Sequence, residues 1–157
     1  MDVSTILAVL LIGFAAGLRA LTPPVVVAWC AYLGWINLDP TPFSFMSLWI
    51  AVAIFSLLAL GEYVGDLLPS TPSRTAPLGL IARVVTGSFS AACLLAATDH
   101  GLAFCVLAGL AAIGGAFAGY QSRIRLVQAL KVKDAFVAIP EDAIAILISI
   151  LAVWIAA

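Results

Sequence analysis

The sequence predicts an all-α integral membrane protein, a compact bundle of about five transmembrane helices forming one domain over residues 1–157. Three observations predict it. First, 64% of the residues are hydrophobic and the mean hydropathy is +1.20, while only 10% are charged. Soluble domains carry about 25% charged residues, so this chain cannot cover a water-facing surface and lipid is its solvent. Second, only helices or a closed barrel satisfy every backbone polar group in lipid. Barrel strands alternate in polarity over about ten residues, whereas the apolar runs here are long, unalternating and rich in Leu, Ala, Ile and Gly. Third, short polar or proline-rich segments separate those runs, and no stretch has the composition of a separate soluble domain.

The first run, Val3 to Ile36, would extend about 50 Å as one helix, against a hydrocarbon core of about 30 Å. It breaks at Leu21-Thr22-Pro23-Pro24. Thr is a good N-cap, and Pro is tolerated at a helix start but not in its interior. One helix is therefore expected from Val3 to Ala20 and a shorter one from Pro23 to Leu33, either a re-entrant half-helix or part of a kinked span. The N-terminal segment lacks a basic flank before its apolar run, so it reads as a retained helix rather than a signal peptide. Asn37 to Pro42 is a break, and the next helix is expected from Phe43 to Leu67. Pro69 to Pro77 is a polar loop. Leu78 to Ala97 is the third run, Thr98-Asp99-His100-Gly101 a tight turn, and Leu102 to Tyr120 the fourth run. Gln121 to Val137 reads as an amphipathic connector, with Leu126, Val127, Leu130 and Val137 toward lipid and its Arg and Lys toward headgroups. Pro140-Glu141-Asp142 opens the last helix, to Ala157.

By alternation, the loops holding Arg74 and Arg123 to Lys133 share one side. The loops at Asp39 and Asp99 share the other and hold no Lys or Arg, so the basic side is expected to be cytoplasmic. The N-terminus lies inside if Val3 to Leu33 crosses once, and outside if the second piece is re-entrant. Gly13-x-x-x-Gly17 and Gly115-x-x-x-Gly119 are close-packing motifs. Each is followed by an arginine and later by a helix-opening proline, a pattern compatible with an internal, inverted repeat. The expected partners are membrane lipids and further copies of the chain, packed through glycine-rich faces. The net charge of −1 implies no nucleic-acid partner. Cys30, Cys93 and Cys105 sit inside apolar runs without CxxC spacing and read as small packing residues. His100 stands alone, so no metal or other cofactor is expected.

Ionisable groups at membrane depth are costly and mark candidate sites. Arg19 ends the first helix beside the N-terminus opened by Thr22 and Pro23. A guanidinium next to free helix N–H groups suits an anion such as phosphate, carboxylate or a lipid headgroup. Its plainer role is to snorkel or to pair with an acid. Glu62 and Asp66 share one helical face near the basic side, and Arg83 lies at similar depth. That cluster serves either as a structural ion pair or as a proton or cation site. Glu141 and Asp142 favour a helix N-terminus by charge alone. Against Arg123 and Arg125 they would complete a charged vestibule.

The ordered set Gly17-Leu18-Arg19-Ala20-Leu21-Thr22-Pro23, Glu62-x-x-x-Asp66-x-x-Pro69, Arg83-x-x-x-Gly87 and Pro140-Glu141-Asp142-Ala143-Ile144-Ala145 resembles a family of small bacterial membrane proteins catalogued as a domain of unknown function (number four-one-two-six). The resemblance spans nearly the whole chain. It implies a bacterial inner-membrane protein and points to Arg19, Glu62, Asp66, Arg83, Glu141 and Asp142 as its polar positions. A fainter likeness links Glu62 to Ser70, with Thr71-Pro72-Ser73-Arg74-Thr75, to membrane undecaprenyl-diphosphate phosphatases. The functional expectation is a small transporter or lipid-handling protein that holds an anionic group at Arg19 and Thr22. Glu62, Asp66 and Arg83 would couple protons, and Arg123, Glu141 and Asp142 would line the mouth. A metal-dependent lipid phosphatase and a structural or assembly subunit are the alternatives.

Overall fold

The computed structural model describes residues 2–39, 41–66, 76–130 and 135–157. Among them the chain is helical throughout: α1 (Val3–Leu18), α2 (Thr22–Tyr32), α3 (Trp49–Gly65), α4 (Pro77–Ala97), α5 (Cys105–Leu130) and α6 (Ala135–Ala156), with 3-10 turns at Ser44–Ser47 and Leu102–Phe104. Three segments, Pro77–Ala97, Leu102–Ala129 and Val137–Ala156, are long and apolar enough to cross a membrane, and α1 and α3 are shorter apolar helices. The chain is a multi-pass membrane protein.

Local chemistry sets the helix ends. Asp2 caps α1 by accepting from the Thr5 amide at 3.0 Å and from the Thr5 hydroxyl. These bonds, the hydroxyl's first, hold its carboxyl down at about 2. α2 closes on Gly34 at φ +77°, with Trp35 N–H donating to Cys30 O at 2.8 Å. α4 closes on Asp99 at φ +54°, with His100 N–H donating to Leu95 O at 2.8 Å. Both are Schellman closures, in which a left-handed residue lets the chain reverse onto the last free carbonyls. The tight turn expected at Thr98 to Gly101 is the second of them.

The helix directions follow from the close contacts. A Cβ on Gly13 would collide with Ala108 O and lie 2.6 Å from Ala108 Cα. One on Gly17 would collide with Ala112 O and lie 2.6 Å from Ala116 N. Ascending positions meet ascending positions, so α1 and α5 run parallel, backbone against backbone. Position 87 on α4 faces Ala16 and Gly13, and Arg83 reaches Gly17, so α4 runs the other way. Val27, Cys30 and Ala31 of α2 share one core with Ile36, Leu38, Met46, the Cys93–Leu95 end of α4 and Val153 of α6. α2 therefore turns back toward the end from which α1 came, the re-entrant alternative of the sequence reading.

Several boundaries differ from expectation. The 3-10 turn and an extended Leu48 delay α3 to Trp49. α5 continues unbroken to Leu130, because Gln, Arg, Leu and Ala are good helix formers whatever their polarity. The expected connector is thus largely a helix end. Val137 is buried rather than lipid-facing. Pro140 sits inside α6, so Glu141 and Asp142 lie past its first turn and do not cap it. α1 and α5, the helices of the suspected repeat, run the same way, so the relation between them is parallel, not inverted. The glycine faces of both are consumed in packing the chain against itself.

Candidate functional site

α1, α2 and α3 all have an end at one level of the bundle, around Arg19. The three long helices pass that level. Pro77 precedes Arg83, Leu130 follows Arg123 and Ala135 precedes Asp142, each by about 10 Å at 1.5 Å per residue. The α1–α2 link and the projecting ends of α4, α5 and α6 together form the charged end of the bundle.

The backbone of that link, Arg19-Ala20-Leu21, is non-helical at membrane depth and needs partners there. Glu62 supplies two, its carboxylate oxygens accepting from Ala20 N–H and Leu21 N–H at 2.8 Å each. Arg83 bonds the end of α1 just before the link, its Nε donating to Gly17 O at 3.1 Å. Its Nη1 donates to Gly79 O at 3.0 Å, and its Nη2 stands 3.9 Å from Glu62. The anion at the start of α2 is thus Glu62 itself.

Arg19 is the deepest charge, its side chain 1% exposed. Nη1 donates to Asp66, and Nε forms an ion pair with Asp142 without hydrogen-bond alignment. Nη2 is buried with no hydrogen-bond partner among the described residues. The guanidinium carbon lies 5.4 Å from the centroid of the Tyr63 ring, a cation–π distance. The Tyr63 hydroxyl is 2.7 Å from the Thr22 hydroxyl. Arg123 stands 3.2 Å from Asp66 and 3.7 Å from Glu141. Exposure is graded, from 21% at Asp142 and 16% at Asp66 down to Arg19.

All eight residues singled out in the sequence, Arg19, Thr22, Glu62, Asp66, Arg83, Arg123, Glu141 and Asp142, meet in this one cluster. Tyr63 is the member that sequence reasoning missed. Its position next to Glu62 in the helix turn facing Arg19 is the signal that would have found it. Arg74, Lys131 and Lys133 lie outside the described residues, as do positions 67–75 of the segment compared with lipid phosphatases. Among the described residues, no group of three or more His, Cys, Asp or Glu is arranged to hold a metal ion.

The family model described as "Domain of unknown function (DUF4126)" matches residues 6–156. The chain belongs to that family. The match takes in all six helices of the bundle and each residue of the cluster. No curated protein and no solved structure matches the chain.

Proposed function

We propose that the chain is a small membrane transporter in which an anionic group binds at Arg19 in step with protonation of the surrounding carboxylates. The observation that carries this reading is a fully buried guanidinium whose counter-ions, Asp66 and Asp142, keep partial exposure of 16% and 21%. Among the described residues, Arg19, Arg83 and Arg123 face Glu62, Asp66, Glu141 and Asp142, three positive charges against four negative. An incoming anion meets net negative charge until a carboxylate takes up a proton. Protonation of Asp142 frees the guanidinium, and the anion replaces the lost charge. Because carboxylate and anion compete for one guanidinium, proton and anion binding strengthen each other by the same factor. The outcome is co-transport of a proton with an anion.

The basic residues Arg123 and Arg125 lie at the charged end of the bundle, so this end faces the cytoplasm of a bacterial inner membrane. Since Gly13, Gly17 and Gly115 are spent between α1 and α5, an oligomer built through glycines uses Gly61 and Gly65 of α3 or Gly114 of α5, whose Cβ positions meet open space.

One observation favours a structural role instead: Glu62 and Arg83 satisfy the backbone of the link. The two readings separate at Asp142, which makes no backbone contact of this kind. The test uses protein reconstituted in liposomes holding a pH-sensitive dye, with inward gradients of inorganic phosphate or lactate. The expected result is acidification of the lumen by at least one anion, lost in Arg19→Ala. In Asp142→Asn, which keeps its shape, anion binding persists but no longer strengthens as pH falls. Equal, anion-independent proton fluxes in wild type and both variants would refute the proposal.

A further inference from the structure

Arg19 is under-bonded for its burial. A guanidinium carries five N–H donors in a planar fork. The Arg19 side chain is 1% exposed, yet only Nη1 makes a hydrogen bond, to Asp66, and neither Nε nor Nη2 has a hydrogen-bond partner. Those two nitrogens share one edge of the guanidinium, the edge turned away from Cδ. Their N–H bonds run parallel there, the geometry that grips two oxygens of one oxyanion. The edge already faces a carboxylate, because Nε is ion-paired with Asp142. That carboxylate is poorly seated, its Oδ1 buried without a hydrogen bond. The charged and titratable groups gathered around the pair are Glu62, Tyr63 and Asp66 of α3, Arg83 of α4, Arg123 of α5 and Glu141 of α6. The other carboxylates have further work. Glu62 accepts from two backbone N–H groups, Asp66 bridges Arg19 and Arg123, and Glu141 pairs with Arg123. Among the described residues, Asp142 has Arg19 as its one ion-pair partner.

We infer that the anion is a monocarboxylate, which takes the Nε–Nη2 edge of Arg19 side-on, in place of the Asp142 carboxylate, as Asp142 becomes protonated. The inference rests on the reading of Arg19 as an anion site and adds the substrate class. Shape is the first argument. The two parallel donors match the two oxygens of a carboxylate one for one. A halide has no second acceptor, and sulfate or phosphate brings further oxygens that need donors of their own. Charge is the second. Protonation of Asp142 removes one negative charge beside Arg19 and a monocarboxylate restores it. A dianion such as sulfate would add a further negative charge among Glu62, Asp66 and Glu141, and uncompensated charge at membrane depth is costly. The exchange also removes a deficit. Both unbonded nitrogens gain an acceptor, while the neutral Asp142 side chain, 21% exposed, turns outward.

The test is isothermal titration calorimetry of the full chain in nanodiscs with lactate, chloride and sulfate. Buffers of different ionisation enthalpy at one pH count the protons taken up. Wild type is expected to bind lactate about tenfold or more tightly than chloride or sulfate, the worth of one further charge-assisted hydrogen bond. It should take up about one proton per lactate. In Asp142→Asn lactate still binds, but the proton uptake is lost. Arg19→Lys keeps the charge without the fork, so its preference for lactate over chloride should shrink to about twofold or less. Chloride or sulfate binding as tightly as lactate in wild type overturns the carboxylate class, yet leaves Arg19 an anion site. Lactate binding without proton uptake overturns the exchange with Asp142. A lactate preference that survives Arg19→Lys places the selective group elsewhere and also refutes the inference. Failure of wild type to bind any of the three overturns both this inference and the anion site. The wild-type selectivity and proton count decide the matter even where a variant does not fold.

Discussion

Replacing Gly17 with alanine sets two physical effects of opposite sign against each other. Inside a helix, alanine is favoured over glycine by about 1 kcal/mol, because glycine loses more backbone freedom on folding. Propensity alone therefore predicts a more stable protein. The packing predicts the reverse. The new methyl would collide with Ala112 O and lie 2.6 Å from Ala116 N and 2.7 Å from Gly115 Cα, all backbone atoms that no rotamer change can move. Ordinary carbon contacts begin near about 3.5 Å, so α1 and α5 must part by about 1 Å along the interface. Overpacking of this kind costs about 1–3 kcal/mol, and separating two helices from backbone contact places the value at the upper end. The net expectation is a loss of about 1–2 kcal/mol, read as a lower midpoint in thermal or denaturant unfolding of protein in nanodiscs. Gly61→Ala is the matched control, since its Cβ meets open space. It should gain up to about 1 kcal/mol if α3 stands alone there. A Gly17→Ala protein as stable as Gly61→Ala would show that α1 and α5 are not in backbone contact, and the helix directions built on that contact would fall with it.

Two further outcomes are expected. Glu62→Gln keeps one acceptor for the α1–α2 link but brings an NH2 group against the second N–H. It should cost about 1–3 kcal/mol, the penalty for an unsatisfied buried group, and amide exchange should rise first at Ala20 and Leu21. Uniform exchange across the bundle would count against that capping role. The Asp2 carboxyl is held below its usual 3.8 at about 2, so its cap is complete above about pH 4 and is lost as pH falls through 2. The Thr5 amide resonance should titrate near pH 2 and cease to titrate in Asp2→Asn. A midpoint near 4 would mean that the cap does not form.

Much of the fold was legible because its punctuation is chemical. Thr22-Pro23-Pro24 can only begin a helix, and Thr98 to Gly101 can only end one, so α2 and α4 lie within a residue or so of expectation. Errors arose where hydropathy and helix propensity disagree. Residues 121–130 are polar but helix-forming and simply continue α5. Phe43 to Leu48 are apolar but adopt a 3-10 turn, because tertiary contacts such as Phe43 on Phe89 decide their path. Pro140 misled because its missing N–H is tolerated one turn inside α6. The site residues were identifiable one by one, as costly charges in apolar runs. Their pairing was not, because it depends on which helices run parallel. The sequence also does not reveal that Glu62 would occupy the α2 N-terminus itself, since that requires knowing that α3 ends at the level where α1 does.

The α1–α2 link also constrains how the protein is made. Its backbone groups are bonded by residues that emerge later: Glu62, then Arg83, with Asp142 completing the set around Arg19. The α1–α2 hairpin is therefore made before its partners, and until α3 is synthesised its turn has water or the insertion machinery as its only solvent. Because that hairpin goes in and returns, its delay leaves the sidedness of α3 to α6 unchanged. Insertion can proceed with α1 and α2 parked at the membrane surface until Glu62 and Arg83 arrive, and α6 then completes the charges around Arg19.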